Sequence, residues 1–386
     1  MSQLQQLINQ MCPNGVEWKM LGDVLKYEQP AKYIVKSTDY SNEGTPVLTA
    51  GASFILGYTD EVDGIYNASK DAPVIIFDDF TTSFHWVDFD FKVKSSAMKM
   101  LKPINGGVNF RYVYYSMSTI NYVPAEHSRQ WIGKYSRFSI PLPPLEIQSR
   151  IVEILDHFSN LTDNLTAELN LRRKQFEHYR ENLLALDGVD GVEWKTIGEE
   201  CEIHGRIGWQ GLTKKDYRTT GNYLLVTGTD FLSSYKINYD TCVFIDEDRY
   251  TQDKYIQLKE DDLLITKDGT IGKLAIVQDL PMPATLNGGV FVIRSKTGKL
   301  VHKFLMYIMA SSHFKNQIEQ KHTNGTIKHL TQNLLVNYTI PVPPLAVQQS
   351  IVEKLDKFTA LIENIDSELA LRQKQYEYYR NQLLTF

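Results

Sequence analysis

The residues of this chain that could do covalent or metal chemistry are few, and their spacing does not suit it. The run Gly269-Thr270-Ile271-Gly272-Lys273 combines glycines with a lysine. A phosphate-cradling loop needs four residues between its glycines and a Ser or Thr after the lysine. Here Thr270 and Ile271 alone separate the glycines and Leu274 follows Lys273, which reads as a hairpin turn. Gly205-Arg206-Ile207-Gly208-Trp209-Gln210-Gly211 is glycine-rich but lies in no strand–turn–helix setting for a dinucleotide. The nine histidines form no His-x-x-x-His pair, and Cys12, Cys201 and Cys242 have no metal-ligand spacing. The cysteines read as reduced thiols. Asp78-Asp79 could ligate a metal, but adjacent acids at a strand end read better as solvated turn residues. The Asn/Asp-Pro-Pro-aromatic tetrad of DNA amino-methyltransferases is absent. These residues predict no catalytic site, no metal and no cofactor.

The elements that position such loops follow from length and pattern. At 386 residues the chain suits two domains plus connecting elements, and its 42% hydrophobic and 23% charged content is ordinary for a globular protein. No apolar run approaches the ~18–20 residues of a membrane span. The first residues, Met1-Ser2-Gln3-Leu4-Gln5-Gln6, lack the basic and apolar regions of a signal peptide, which points to the cytoplasm. The net charge of −5 does not favour a nucleic-acid partner. Residues 15–140 carry 13 Lys/Arg against 14 Asp/Glu, and residues 191–340 carry 18 against 17. Any DNA surface must therefore be a local patch.

A repeat organises the chain. Ile140-Pro141-Leu142-Pro143-Pro144-Leu145 returns as Ile340-Pro341-Val342-Pro343-Pro344-Leu345, and the match runs without a gap to Leu186 and Phe386, with 25 identities in 47 positions. Gly15-Val16-Glu17-Trp18-Lys19 returns as Gly191-Val192-Glu193-Trp194-Lys195 at a different offset, which sets Leu7-Ile8 on Leu183-Leu184. The order is a helical stub (1–14), a variable domain (15–140), a repeated segment (141–190), a second variable domain (191–340) and the segment again (341–386). A weak echo of Asn105-Gly106-Gly107-Val108 in Asn287-Gly288-Gly289-Val290 suggests a common fold beneath the divergence.

The repeated segments predict long helices. Pro143-Pro144 sets an extended start, and Pro suits a first helical turn. No proline or glycine then occurs until Gly188. Apolar or long side chains recur in steps of three and four from Ile147 through Phe158, Leu169 and Tyr179 to Leu183, a heptad seam with one stutter. The second copy keeps the seam from Val347 through Phe358, Leu369 and Tyr379 to Leu383, interrupted by Lys354. About 42 residues of helix span roughly 63 Å, so each stripe needs a partner, and the other copy supplies one rather than the adjoining domain. Antiparallel pairing is expected, because the second domain starts immediately after the first helix. In the domains, 72–77 and 89–93 read as strands, 262–266 and 274–277 as a hairpin, and Phe110–Met117 and 301–315 as helices. Trp18 and Trp194 read as packing residues, and Trp131 and Trp209 equally as core or as base-facing.

Two copies of Ile-Pro-x-Pro-Pro-Leu-x-x-Gln-x-x-Ile-Val-x-x-Leu-Asp-x-Phe, each closing a variable domain, resemble the specificity subunits of type I restriction–modification enzymes. The resemblance covers the whole chain. It implies an α+β protein: two mixed α/β target recognition domains separated by two long antiparallel helices in a coiled coil, with pseudo-twofold symmetry. It also implies a non-catalytic subunit that binds double-stranded DNA, each domain reading half of a split asymmetric site while the helices fix the spacer. The implied partners are two modification (methyltransferase) subunits and, in the full complex, restriction subunits that translocate and cleave with ATP. None of their cofactors is expected on this chain.

Under this resemblance, polar and basic loops with aromatic neighbours become the DNA-contact candidates, since Arg and Lys can read guanine and Gln and Asn adenine. In the first domain these are Thr81, Thr82, Ser83, His85, Lys94, Arg129, Gln130, Lys134 and Arg137. In the second they are Arg206, Gln210, Lys214, Lys215, Arg218, Lys267, Thr270, Lys273, His322, Asn324 and Lys328. A second stripe on the helices, Arg173, Lys174, Glu177 and Tyr179 with Gln373, Lys374, Glu377 and Tyr379, is the candidate docking surface for modification subunits.

Overall fold

A computed structural model describes every residue except Met1, Ala52, Trp209, Gln210 and 322–328, and leaves undescribed the side chains of residues 2, 3 and 318–321. The chain forms two compact units, one of residues 1–164 with 369–386, the other of residues 165–368. Among the described residues no helix is long and apolar enough to cross a membrane.

Unit 1 begins with α1 (Ser2–Met11), β1 (Glu17–Met20), α2 (Leu21–Val24) and β2 (Leu25–Glu28). There follow β3 (Thr45–Leu48), β4 (Ile55–Thr59), β5 (Val74–Asp78), β6 (Phe84–Val87), β7 (Lys92–Val93) and β8 (Met98–Pro103). Helix α3 (Phe110–Met117), strand β9 (Ser139–Leu142) and the first half of α4 (Leu145–Leu184) complete it with the end of the last helix. Its sheets run β2-β8-β5-β6 and β4-β3-β7, and β1 pairs antiparallel with β9. Strand β5 is buried on both faces, which explains its unbroken apolar run. Ile75 and Phe77 enter a core with Tyr112, Trp131 and Tyr135, while Val74 and Ile76 enter another with Leu48 and Phe91.

Unit 2 carries β10 (Glu193–Thr196), α5 (Ile197–Glu200), β11 (Cys201–His204), β12 (Tyr223–Val226), β13 (Val243–Ile245) and α6 (Glu247–Thr251). Next come β14 (Leu263–Thr266), β15 (Leu274–Ile276), β16 (Ala284–Leu286) and β17 (Val290–Ser295). Helices α7 (His302–Ala310), α8 (Ser312–Lys321) and α9 (Gln332–Val336) lead to β18 (Thr339–Val342) and α10 (Leu345–Leu383). The sheets run β11-β17-β14-β15 and β13-β12-β16, and β10 pairs antiparallel with β18. This is the topology of unit 1, strand for strand. The common fold is therefore real, but the Asn-Gly-Gly-Val echo is not its trace. Asn105 follows β8, whereas Asn287 precedes the equivalent strand β17. Cys201 and Cys242 are buried, and burial pushes each thiol up to about 12.

The long helices meet within each unit through the same pair of residues. In unit 1 Phe158 stacks on Tyr379 (ring centroids 5.0 Å apart), and in unit 2 its repeat counterpart Phe358 stacks on Tyr179 (5.1 Å). Together with the Arg173–Asp366 ion pair at 3.4 Å, the second stack fixes the antiparallel sense in unit 2. The seam is less exclusive than the pattern suggested. Ile147, Ile151 and Leu155 join the core of unit 1, and Ile351, Val352 and Leu355 that of unit 2, so each helix packs first on its own domain. Val347 and Lys354 are exposed rather than in the seam.

The polar residues of the repeated motif do this anchoring. Buried Gln148 accepts the Asn109 N–H (2.9 Å) and donates to the Pro143 carbonyl (2.7 Å). Gln348 does the same with the Val301 N–H (2.9 Å) and the Pro343 carbonyl (2.8 Å). About two turns further, Asp156 accepts from the Tyr115 hydroxyl and pairs with Arg111 (2.8 Å), as Asp356 does with Tyr307 (2.6 Å) and Lys303 (2.7 Å). Each long helix thus carries a fixed socket for the helix of its domain, α3 or α7.

The local expectations fared unevenly. The α3 limits and the β14–β15 hairpin agree with the pattern, and the helix expected over 301–315 is two helices broken at Ser311. The strand expected over 89–93 is reduced to β7, because Phe89 and Phe91 pack inward at a bend and the hairpin partner of β5 is Phe84–Val87. Trp131 is core, whereas Trp18 and Trp194 are not packing residues: they are 54% and 49% exposed.

Candidate nucleic-acid interface

In unit 1 the turn between β5 and β6 and the loop before β9 are fastened together. Asp78 Oδ1 accepts the N–H groups of Phe80 and Thr81, both at 2.8 Å, and closes the turn. Thr82 then adopts φ +62°, a conformation costly for a β-branched residue, of the kind that persists where function demands it. The next carboxylate corrects the reading of Asp78-Asp79 as solvated acids, because Asp79 is fully buried. Its Oδ1 accepts the N–H groups of Gln130 (3.1 Å) and Trp131 (2.8 Å), and its Oδ2 pairs with Lys99 (3.1 Å) and Arg129 (3.3 Å). Its carbonyl also accepts the Gln130 N–H at 2.7 Å. Phe80 stacks on His127 at 4.6 Å, and the Arg129 guanidinium lies over Phe80. Thr81 is exposed on the turn, and Arg129, Lys134 and Arg137 are exposed on the loop, with Ser83 half-buried beside Thr81.

Unit 2 builds the equivalent junction with other residues. The turn between β14 and β15 uses Gly269 and Gly272 at φ +70° and +82°. The Thr266 hydroxyl donates to the Thr270 carbonyl (2.5 Å) and accepts the Lys273 N–H (2.9 Å). The Leu330 N–H donates to the Lys267 carbonyl at 3.0 Å, the counterpart of the Gln130–Asp79 bond. The side chains on this frame differ completely. Lys267 stands where Asp79 does and lies over the Phe291 ring at 4.6 Å, and His329 bonds Asp268. Thr270 and Lys273 are exposed on the turn.

In unit 1 two groups chosen independently from the sequence are thus brought together, whereas in unit 2 only the turn group lies among the described residues. Not all candidates belong to these groups. His85 stacks on Phe54 and contacts the Gly51 carbonyl (3.1 Å). Thr82 is buried in the turn it shapes. Gln130 is fully buried, accepting from the Tyr122 hydroxyl (2.7 Å) and donating to the Ser128 carbonyl (2.7 Å). Arg206 is buried and donates to the carbonyls of Leu286 (2.7 Å) and Arg249 (3.2 Å). These residues position loops rather than present themselves. Lys94 is exposed at the end of β7. Lys214, Lys215 and Arg218 form a separate exposed group, in which Arg218 pairs with Asp246 at 2.6 Å. Gln210, His322, Asn324 and Lys328 lie outside the described residues. The pattern reading missed Lys99 and Phe80, although a lysine within the apolar strand Met98–Leu101 was the available signal.

On the helices Arg173, Lys174, Glu177, Gln373, Lys374 and Glu377 are exposed, and Arg173 pairs with Asp366. Tyr179 and Tyr379 instead belong to the contact between the helices. Among the described residues no group of three His, Cys, Asp or Glu side chains is placed to hold a metal.

Comparison with known proteins completes the description. The family model described as the type I restriction modification DNA specificity domain matches residues 13–172 and 190–371. The chain is 40% identical over 407 aligned residues to the EcoR124I/EcoR124II specificity subunit of Escherichia coli, covering 100% of this chain and 97% of that one. It is 30% identical to a putative type I specificity subunit of Haemophilus influenzae, with 96% of each covered. Its fold resembles the crystal structure of the S subunit from M. genitalium, with TM-score 0.64, 13% identity and 97% of each chain covered.

Proposed function

We infer the working of this chain from the premise that it belongs to the specificity subunits of type I restriction–modification systems. It is the DNA sequence-recognition subunit of a restriction–modification complex. In our reading, residues 15–140 and 191–340 are the two target recognition domains, and each reads one half of a bipartite asymmetric site. The observation that carries this reading is the pairing of an identical topology with unrelated residues at the turn–loop junction. A shared frame gives both domains the same approach to the duplex, while the exposed Arg129 and Lys134 against Thr270 and Lys273 give them different base preferences. The exposed cations supply a local positive surface on domains that are neutral overall, so binding should weaken steeply with salt. Residues 141–190 and 341–386 set the unread spacer. Catalysis belongs to partners: modification subunits that methylate, and restriction subunits that act with ATP.

Replacing residues 15–140 with the first domain of another family member should change one half-site and leave the other as it was. Mapping methylated positions across a genome reads both halves at once. Independent reading is untenable if both halves change, or if a folded hybrid loses all site-specific methylation.

The exposed stripe at Lys174, Glu177, Lys374 and Glu377 is the surface to which we assign two modification subunits. Lys174→Glu with Lys374→Glu should reduce co-purification of the modification subunit by about tenfold or more, with thermal unfolding of the isolated chain unchanged. Unaltered co-purification would remove the stripe from the interface.

A further inference from the structure

Beyond the recognition surfaces, the chain repeats one exposed feature that its own packing does not require. Gly15-Val16-Glu17-Trp18-Lys19 and Gly191-Val192-Glu193-Trp194-Lys195 are identical, although the domains they open share little else in sequence. The glycines have a backbone reason, since Gly15 and Gly191 sit at φ +89° and +79°. The tryptophans are covered only in part, being 54% and 49% exposed. Trp18 stands opposite Pro141 in the β1–β9 ladder, and Trp194 opposite Pro341 in β10–β18.

Each indole borders a groove of mixed polar and apolar lining within its own unit. In unit 1 a groove of about 450 Å³ is lined by Trp18, Leu4, Ile8 and Leu383 together with Gln5 and Gln382. In unit 2 a groove of about 370 Å³ is lined by Trp194, Leu184, Ile308 and Tyr338 together with Glu181 and His313. Both include the end of a repeated helix. The strand lysines beside the indoles are paired on their own strands, Lys19 with Glu17 at 3.3 Å and Lys195 with Glu193 at 2.7 Å. A site for phosphate would keep such cations free, so the groove suits a protein rather than nucleic acid. A feature kept identical in two domains whose reading surfaces differ must serve something that both domains meet in the same form. Two copies of one subunit meet that condition.

We propose that Trp18 and Trp194 are equivalent anchors, each holding a segment of one modification subunit in the groove beside it. This rests on the docking reading above and adds a second point of attachment to it. An exposed tryptophan beside a groove is the type of residue that dominates the energy of a protein interface once covered.

The test uses the full chain produced with its cognate modification subunit, with native mass and titration as readouts. Trp18→Ala should weaken one of two binding events by about thirtyfold, so that complexes with a single modification subunit accumulate. Trp194→Ala should do the same at the other site, and the double variant should lose both copies. Trp18→Phe with Trp194→Phe should restore most of the affinity. Circular dichroism should be unchanged throughout, because both side chains are exposed. The proposal is overturned if the double alanine variant binds two modification subunits with wild-type affinity. It is equally overturned if that variant assembles normally but no longer binds DNA. Should Lys174→Glu with Lys374→Glu disrupt assembly while the tryptophan variants do not, the anchors fail and the helix docking reading stands. Should neither set alter assembly, both fail.

Discussion

Asp79→Ala should lower the stability of unit 1 by about 3–5 kcal/mol and abolish reading of the first half-site. The carboxylate is fully buried, and it meets one cation that is buried as well, since the Lys99 side chain is 1% exposed. Removing it leaves that charge without its partner and two N–H groups, of Gln130 and Trp131, without their side-chain acceptor. The loop that carries Arg129, Lys134 and Arg137 then keeps only the backbone bond from the Gln130 N–H to the carbonyl of residue 79 as its tether to the β5–β6 turn. Calorimetry should show a transition of unit 1 displaced to lower temperature, with that of unit 2 in place.

A second variant separates stability from reading. Asp79→Leu with Lys99→Met replaces the buried pair by apolar side chains of similar size, an exchange that is often neutral or stabilising. The double variant should recover the unfolding temperature and still fail to bind site-specifically, because its loop lacks the side-chain tether. Wild-type stability of Asp79→Ala would show that the buried network contributes nothing. Site-specific binding by the double variant would show that the tether is not needed for reading.

The same residue marks how far the sequence could be read. The long helices were legible because a heptad period over forty residues, unbroken by glycine or proline, leaves one regular structure open. Their antiparallel pairing was legible because the motif occurs twice with a domain immediately after the first copy. Their sharing with the domains was not, since Gln148 and Asp156 look like ordinary solvated positions of an amphipathic helix until α3 is seen against them. The turn–loop site was legible only as composition. His85, Gln130 and Arg206 have the chemistry of base readers, yet their polar atoms are taken up by Gly51, Ser128 and Leu286, which lie near or far in sequence without any local signal. Trp18 and Trp194 fail in the opposite direction. A repeated tryptophan suggests core by residue type, and only burial reveals it as surface.

The repeat-equivalent contacts lead to a result of comparable size. A fragment of residues 1–190 should form a homodimer, and with modification subunits it should direct methylation to a palindrome of the first half-site. In the whole chain, unit 1 is completed by residues 369–386, the end of α10 and the three residues after it. A second copy of α4 can supply the counterparts of its main contacts. Tyr179 would stack on Phe158 as Tyr379 does, and Leu183 and Leu184 would fill the places of the buried Leu383 and Leu384. The exchange sets Phe176 in place of Tyr376, apolar for largely apolar, in a setting where burial already pushes the tyrosine up to about 12. The exposed Arg173–Asp366 pair would be lost, at a cost of a few tenths of a kcal/mol. Lys354 sets no ranking between the two possible homodimers. It is exposed, so a fragment of residues 187–386 meets no buried like-charge pair in its own association. Sedimentation at micromolar concentration reads the dimer, and methylation mapping reads the palindrome. A 1–190 fragment that stays monomeric while folded by circular dichroism would show that the two helices are not interchangeable, despite sharing the Phe–Tyr stack through which each unit joins them.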